Sequence, residues 1–235
     1  MPNTVRKTVG RVFLELSHTI PNLRRDFPEW HLGRSRFAIW AIDVDCPAVR
    51  QQVRTAETHL SDFLLAGYHR QPHITLSTCG FPSNKPEHAD DFGEKNLKAQ
   101  ILALRQACLS PFEVEIGSLG SFPLAPFLYV RDTTNSIAIM RTCLNSSKPN
   151  ALREDYTPHV TVGLYAGTWP SETVGRRLDA FPQDDTSRCL VTRISLMSYA
   201  ATEIGGPLTT IADYHLDQAK VHWHESSPFN AESSL

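Results

Sequence analysis

The run Pro72-His73-Ile74-Thr75-Leu76 returns, type for type, as Pro158-His159-Val160-Thr161-Val162. Side chains on a strand alternate between its two faces. Each run therefore sends one His and one Thr to one face and two aliphatic residues to the other. The preceding proline favours extended backbone and has no N–H to give to a ladder, which suits the start of a strand. A chain carrying this motif twice must hold two similar strands, each with an apolar face to bury and a polar face to present.

The flanks repeat as well. RFAIWAIDV from Arg36 reads as a buried strand. PAVRQQVRTAETHLSDFLLAG (47–67) reads as a helix with a stripe of Val49, Val53, Ala56, Leu60 and Leu64. A strand at His73–Ser77, a helix near Lys95–Cys108 and a strand at 112–122 follow. The order then restarts: a strand at 127–131, a helix at Asn135–Asn145, the strand from His159, a helix at Trp169–Ala180 and one long strand at Leu190–Tyr199. The opening strand precedes the histidine by 36 residues in one half (37 to 73) and by 32 in the other (127 to 159). Two copies at matched spacing point to a duplicated unit, not a solenoid. A last strand is expected at Leu208–Leu216, with a polar tail after it.

Composition bounds the class. With 235 residues, 41% hydrophobic and 20% charged, the chain has material for one compact unit or two apposed lobes. No run approaches the length of a membrane span, and residues 1–20 lack an apolar block with a small-residue cleavage site, so a cytoplasmic address is expected. Five scattered cysteines (46, 79, 108, 143, 189), odd in number and without a CxxC pair, argue against a disulfide framework or zinc ribbon and read as small buried hydrophobes. The net charge of −2 excludes a surface that is basic throughout. Residues 1–36 hold seven Lys/Arg against three acids, while the remainder holds 16 against 22. A solvated leader is favoured there over a phosphate-binding arm.

Two histidines and two threonines brought to one cleft have a definite chemistry. Imidazole titrates near neutral pH, so one ring can take a proton while the other gives one. Threonine hydroxyls between them can donate to non-bridging phosphate oxygens. A phosphodiester needs help on both sides of phosphorus, and a strained 2′,3′-cyclic phosphate leaves the least work. Other constellations are weaker. His69 and His73 are four apart, but Pro72 and the strand spoil a helical ligand pair. His222-Trp223-His224-Glu225 lies in the tail and reads as fortuitous. HExxH, GxxxxGK[ST] and GxGxxG signatures are absent, so no metal site, cofactor or ATP-driven step is expected.

The doubled PHIT/PHVT pattern resembles the 2H phosphoesterases, the superfamily of bacterial 2′-5′ RNA ligases and RNA 2′,3′-cyclic phosphodiesterases. The resemblance spans about residues 36–217 and includes FAIWAIDVDCPAVRQQV, SLGSFPLAPFLYVRD and ISLMSY. It implies an α+β, bilobal fold: two pseudo-twofold-related lobes of antiparallel sheet, helices outside and a cleft between. It also implies metal-independent catalysis by His73, Thr75, His159 and Thr161, with the acid and base unassigned. Tyr165, in the Gly163-Leu164-Tyr165 continuation, is an aromatic that could stack on a base; an ordinary strand-end tyrosine is an equal reading. Phe81, Phe122 and Tyr129 read as core or cleft wall. Arg70, Arg131 and Arg153 are candidate phosphate partners by proximity alone.

The expected organisation is an extension at 1–35, the phosphoesterase unit at 36–217 (repeat halves at about 36–122 and 127–199) and a tail at 218–235. The expected activity opens a nucleoside or RNA 2′,3′-cyclic phosphate to a 2′-phosphomonoester, in a monomer acting on a nucleotide or RNA terminus and away from membranes. Activity on 2′-5′ linkages or an ADP-ribose cyclic phosphate, or a non-catalytic module holding a nucleotide or RNA end, are the alternatives.

Overall fold

The computed structural model describes residues 16–146, 156–182, 186–224 and Phe229. After a short helix α1 (Pro28–His31), the elements of the first half are β1 (Arg36–Asp43), α2 (Pro47–His59), β2 (His73–Pro82), β3 (Asp91–Phe92), α3 (Glu94–Ala107) and β4 (Phe112–Ser121). The second half supplies β5 (Pro126–Asp132), α4 (Ser136–Leu144), β6 (His159–Thr161), α5 (Ser171–Asp179), β7 (Thr186–Val191) and β8 (Arg193–Ala200). A hairpin of β9 (Thr209–His215) and β10 (Lys220–Trp223) follows.

These strands form two sheets, β10-β9-β8-β1-β2-β3 and β6-β5-β4-β7, antiparallel except for the β2/β3 pair. The protein is α+β with two lobes. The duplication is visible in the strand order: β8-β1-β2 in one sheet has the same roles as β4-β5-β6 in the other. Each half thus lends its last strand to the opposite sheet. Register sharpens this. His73 pairs with Asp43 and His159 with Tyr129, so the partner lies 30 residues upstream in both halves (43 to 73, 129 to 159).

The helices are exchanged as well. α3 and α4 pack together, and α4 lies against β2. There the Trp40 indole donates to Gln100 Oε1 (2.9 Å), and Gln100 Nε2 donates to the Leu144 carbonyl (2.8 Å). α2 packs by β7, and α5 by β4. Because β1 is covered on both faces, Ala38–Ile42 are all buried, which is why this stretch reads as an unbroken apolar run and not an alternating one. Burying Trp40 alone, fully enclosed, contributes about 2–3 kcal/mol of transfer free energy.

Several expectations need correction. The helix expected over 47–67 ends at His59 and passes into a 3₁₀ turn at Ser61–Phe63. The apolar stripe continues through buried Leu60 and Phe63, so periodicity alone does not mark the stop. The long strand expected at 190–199 is two strands in two different sheets, divided at Thr192 without any Gly or Pro to announce the crossing. β2 runs to Pro82, beyond Ser77, with two register shifts against β1. The boundary expected at 217 falls inside the β9–β10 hairpin, since His222 pairs with Asp213.

Residues 16–35 do not trail free. Thr19 and Asn22 donate backbone N–H groups to the Trp169 and Tyr165 carbonyls, and Arg24 reaches Ala66 and Gly67, so this strap touches both halves. Its Arg34 pairs with Asp90 (2.6 Å) and Asp91 (2.7 Å), which accounts for one of the leader's cations; Arg6, Lys7 and Arg11 lie outside the described residues. Of the cysteines, Cys79 is buried, Cys108 is exposed and the other three are half-buried, so burial describes only part of the set.

Candidate functional site

β2 and β6, one from each sheet, pack against each other. Each begins at its motif histidine. The aliphatic positions behave as strand geometry requires: Ile74, Leu76, Val160 and Val162 are all fully buried. Thr75 and Thr161 on the opposite faces are half-exposed. The structure therefore brings the two halves of the motif together at the junction of the sheets.

Both rings are held alike. His73 Nδ1 lies 2.7 Å from the Gln71 carbonyl and His159 Nδ1 lies 2.8 Å from the Thr157 carbonyl. A carbonyl only accepts, so each Nδ1 must carry the proton and donate it. The neutral ring then presents Nε2 as a free base. One local arrangement, the carbonyl two residues upstream, fixes the same tautomer in both halves.

Their environments differ. His73 is only 8% exposed, and burial pushes its imidazole down to about 4, with the Arg70 cation and the neighbouring His159 ring adding to the effect. That His73 feels the charge of His159 places the two rings in one electrostatic neighbourhood. His159 is half-buried and is also lowered, chiefly by desolvation and then by Arg141. The Phe122 ring meets it edge-on at 4.9 Å, and Phe127 lies 5.4 Å away. Burial thus opposes the charged form of both rings in the free protein. An apolar, partly cationic surrounding disfavours a further positive charge.

Two tyrosines cross between the motifs, and the sequence reading missed both. The Tyr68 side chain hydrogen-bonds that of Thr161. The Tyr156 hydroxyl donates to the Thr75 carbonyl (2.7 Å). Each tyrosine sits a few residues before one motif and reaches the threonine of the other. Burial raises both phenols to about 12, so they stay protonated. Gly205, at φ +69°, lets the chain pass over Tyr68: a Cβ there would stand 2.7 Å from its ring. Arg141, also missed, lies 3.4 Å over the Tyr156 ring and donates to the Leu76 carbonyl. Only their position, just upstream of the motif or on the helix before it, offered a signal.

Tyr165 departs from its expected role as a base platform. It is wholly enclosed, and its hydroxyl shares a 2.6 Å hydrogen bond with Ser121, so its ring has no open face for a nucleobase. Phe81 is core, while Phe122 and Tyr129 are half-exposed, with Phe122 on the His159 ring. Arg70 is close enough to His73 to lower its basicity and lies 4.1 Å over the Tyr199 ring. Arg131 is exposed and pairs with Glu115. Arg153 lies outside the described residues.

Among the described residues no three His, Cys, Asp or Glu side chains gather as metal ligands. The His222 and His224 rings meet edge to face with centroids 5.0 Å apart, and His224 is bonded to Asp213 (2.7 Å); Glu225 lies outside the described residues. No described helix is long and apolar enough to cross a membrane.

A family model described as the 2′-5′ RNA ligase superfamily matches residues 46–203. Among solved structures, Escherichia coli LigT in its apo form is 15% identical with a TM-score of 0.51, covering 78% of this chain and 98% of that one. TT0787 of Thermus thermophilus is 15% identical with a TM-score of 0.50, covering 77% and 98%. LigT complexed with phosphate is 17% identical with a TM-score of 0.50, covering 78% and 98%. No curated protein matches the chain.

Proposed function

Since the chain belongs to the 2′-5′ RNA ligase superfamily, we propose that it is a metal-independent phosphodiesterase opening nucleoside or RNA 2′,3′-cyclic phosphates to 2′-phosphomonoesters. The observation that carries this reading is the matched pair of Nδ1–carbonyl hydrogen bonds, which leaves two Nε2 atoms as bases on strands that pack together. The phosphate bound in the LigT structure is the chemical precedent in the same fold.

His73, held below the ordinary histidine range by burial, is the general base. It takes a proton from water as the oxygen attacks phosphorus. His159 donates a proton to the departing 3′-oxygen, and the phosphate remains on the 2′-oxygen. Because burial disfavours its charged form beforehand, His159 gains its proton with the substrate. The anionic phosphodiester offsets the repulsion from Arg141 and raises the basicity of the ring beside it. The Thr75 and Thr161 hydroxyls donate to the non-bridging oxygens, and Arg70 and Arg141 balance the charge that develops.

The test is turnover of a panel of nucleoside 2′,3′-cyclic phosphates and RNA ends in the presence of EDTA, with product regiochemistry read by phosphorus NMR. A 2′-phosphate product supports the proposal. Binding without turnover would favour the nucleotide-holding module, and cleavage confined to 2′-5′ linkages would favour the activity after which the family is described.

A further inference from the structure

We propose that Cys46 and Cys189 form a redox-active dithiol that closes to a disulfide and bolts the two lobes together. Their sulfurs lie 3.6 Å apart across 143 residues of sequence, and both thiols are free and half-buried. A disulfide requires about 2.05 Å between sulfurs, so the two sulfurs must close the remaining gap on oxidation.

Position makes the pair more than a chance contact. Cys46 is the N-cap of α2, the end at which a helix favours negative charge. Arg50, one turn on, is held by Asp45, the residue before Cys46 (2.8 Å). Cys189 sits on β7, the outer strand of the smaller sheet, where burial and the neighbouring Cys46 push its thiol up to about 12. The two therefore have unequal roles. Cys46 supplies the attacking thiolate and Cys189 the resolving thiol.

With a small-molecule disulfide as oxidant, the Cys46 thiolate attacks one sulfur and releases the first small thiolate, giving a mixed disulfide. Cys189 then loses its proton, attacks the Cys46 sulfur and displaces the second thiolate. Two protein thiols are oxidised to one disulfide while the reagent is reduced to two thiols. The bolt would join α2 to β7 at the point where the first half's helix crosses to the other lobe. The segment it anchors is also bonded to the site, because Val44 donates its N–H to the carbonyl of Pro72, the residue before His73.

The experiment treats the full chain with oxidised glutathione and maps the disulfides by mass spectrometry, alongside Cys46→Ser, Cys189→Ser and Cys108→Ser. The proposal expects a Cys46–Cys189 cross-link in the native and Cys108→Ser proteins and in neither of the others. It also expects a rise of about 5–15 °C in thermal midpoint that dithiothreitol reverses. Glutathione retained on Cys46 without ring closure, a cross-link to any other cysteine, or an unchanged midpoint after cross-linking would overturn it. None of these readouts depends on the phosphodiesterase reading.

Discussion

His73 and His159 occupy the same place in two copies of one unit, yet they live in different surroundings. His73 opens a ten-residue strand inside the larger sheet and is almost wholly enclosed. His159 opens a three-residue strand at the edge of the smaller sheet, half-open and walled by Phe122 and Phe127. The tautomer-fixing hydrogen bond and the lowering by desolvation are shared; the exposure of the two rings is not. Duplication thus supplies two identical groups, and the fold sets them in unequal surroundings. Environments that push two like groups apart are what acid–base catalysis needs.

The sharpest way to break this comparison is to remove each ring. His73→Ala and His159→Ala should each lower kcat on a 2′,3′-cyclic nucleotide by about 10²–10⁴-fold with little change in KM. The double variant should fall well short of the product of the two losses. Near-normal turnover in either single variant would end the two-histidine reading.

Stability against pH tests the burial difference itself. The folded value of His73 is lowered from 6.5 to about 4. Above 6.5 the ring is neutral in both states and contributes no pH dependence. As pH falls from 6.5 towards 4, the unfolded chain takes up a proton that the folded one refuses, and stability is lost. The full gap corresponds to about 3 kcal/mol. Urea denaturation between pH 7 and pH 4 should show a decline that His73→Gln reduces. His159→Gln should reduce it less, because that ring is more open.

The crossing tyrosines give the smallest effect. Tyr156→Phe removes a donor to the Thr75 carbonyl, and Tyr68→Phe removes the partner of the Thr161 side chain. Each should cost about 1 kcal/mol of stability by denaturant midpoint. Only Tyr68→Phe alters what a threonine hydroxyl can reach, so turnover should change more in that variant than in Tyr156→Phe.

Much of this was legible in the sequence, for identifiable reasons. Period-two alternation in PHITL and PHVTV correctly assigned Ile74, Leu76, Val160 and Val162 to the core. What alternation cannot report is which sheet a strand joins. Nothing in Leu190–Val191–Thr192–Arg193 marks the passage between sheets, and nothing local tells that β4 and β8 are exchanged. Tyr165 misled because a strand-end aromatic looks the same in sequence whether its hydroxyl meets solvent or Ser121. Tyr68, Tyr156 and Arg141 escaped because their partners lie in the other half of the chain. Burial, which lowers the basicity of both histidines, is a property of the assembled lobes.

The most direct measurement is a nitrogen-15 NMR titration of the two imidazoles, with and without a nucleoside 2′-phosphate. The account predicts that both rings are Nδ1–H tautomers titrating below the ordinary histidine range, and that both Nε2 resonances move together when the phosphate is added. A ring in the Nε2–H form, or a response from one histidine alone, would contradict it.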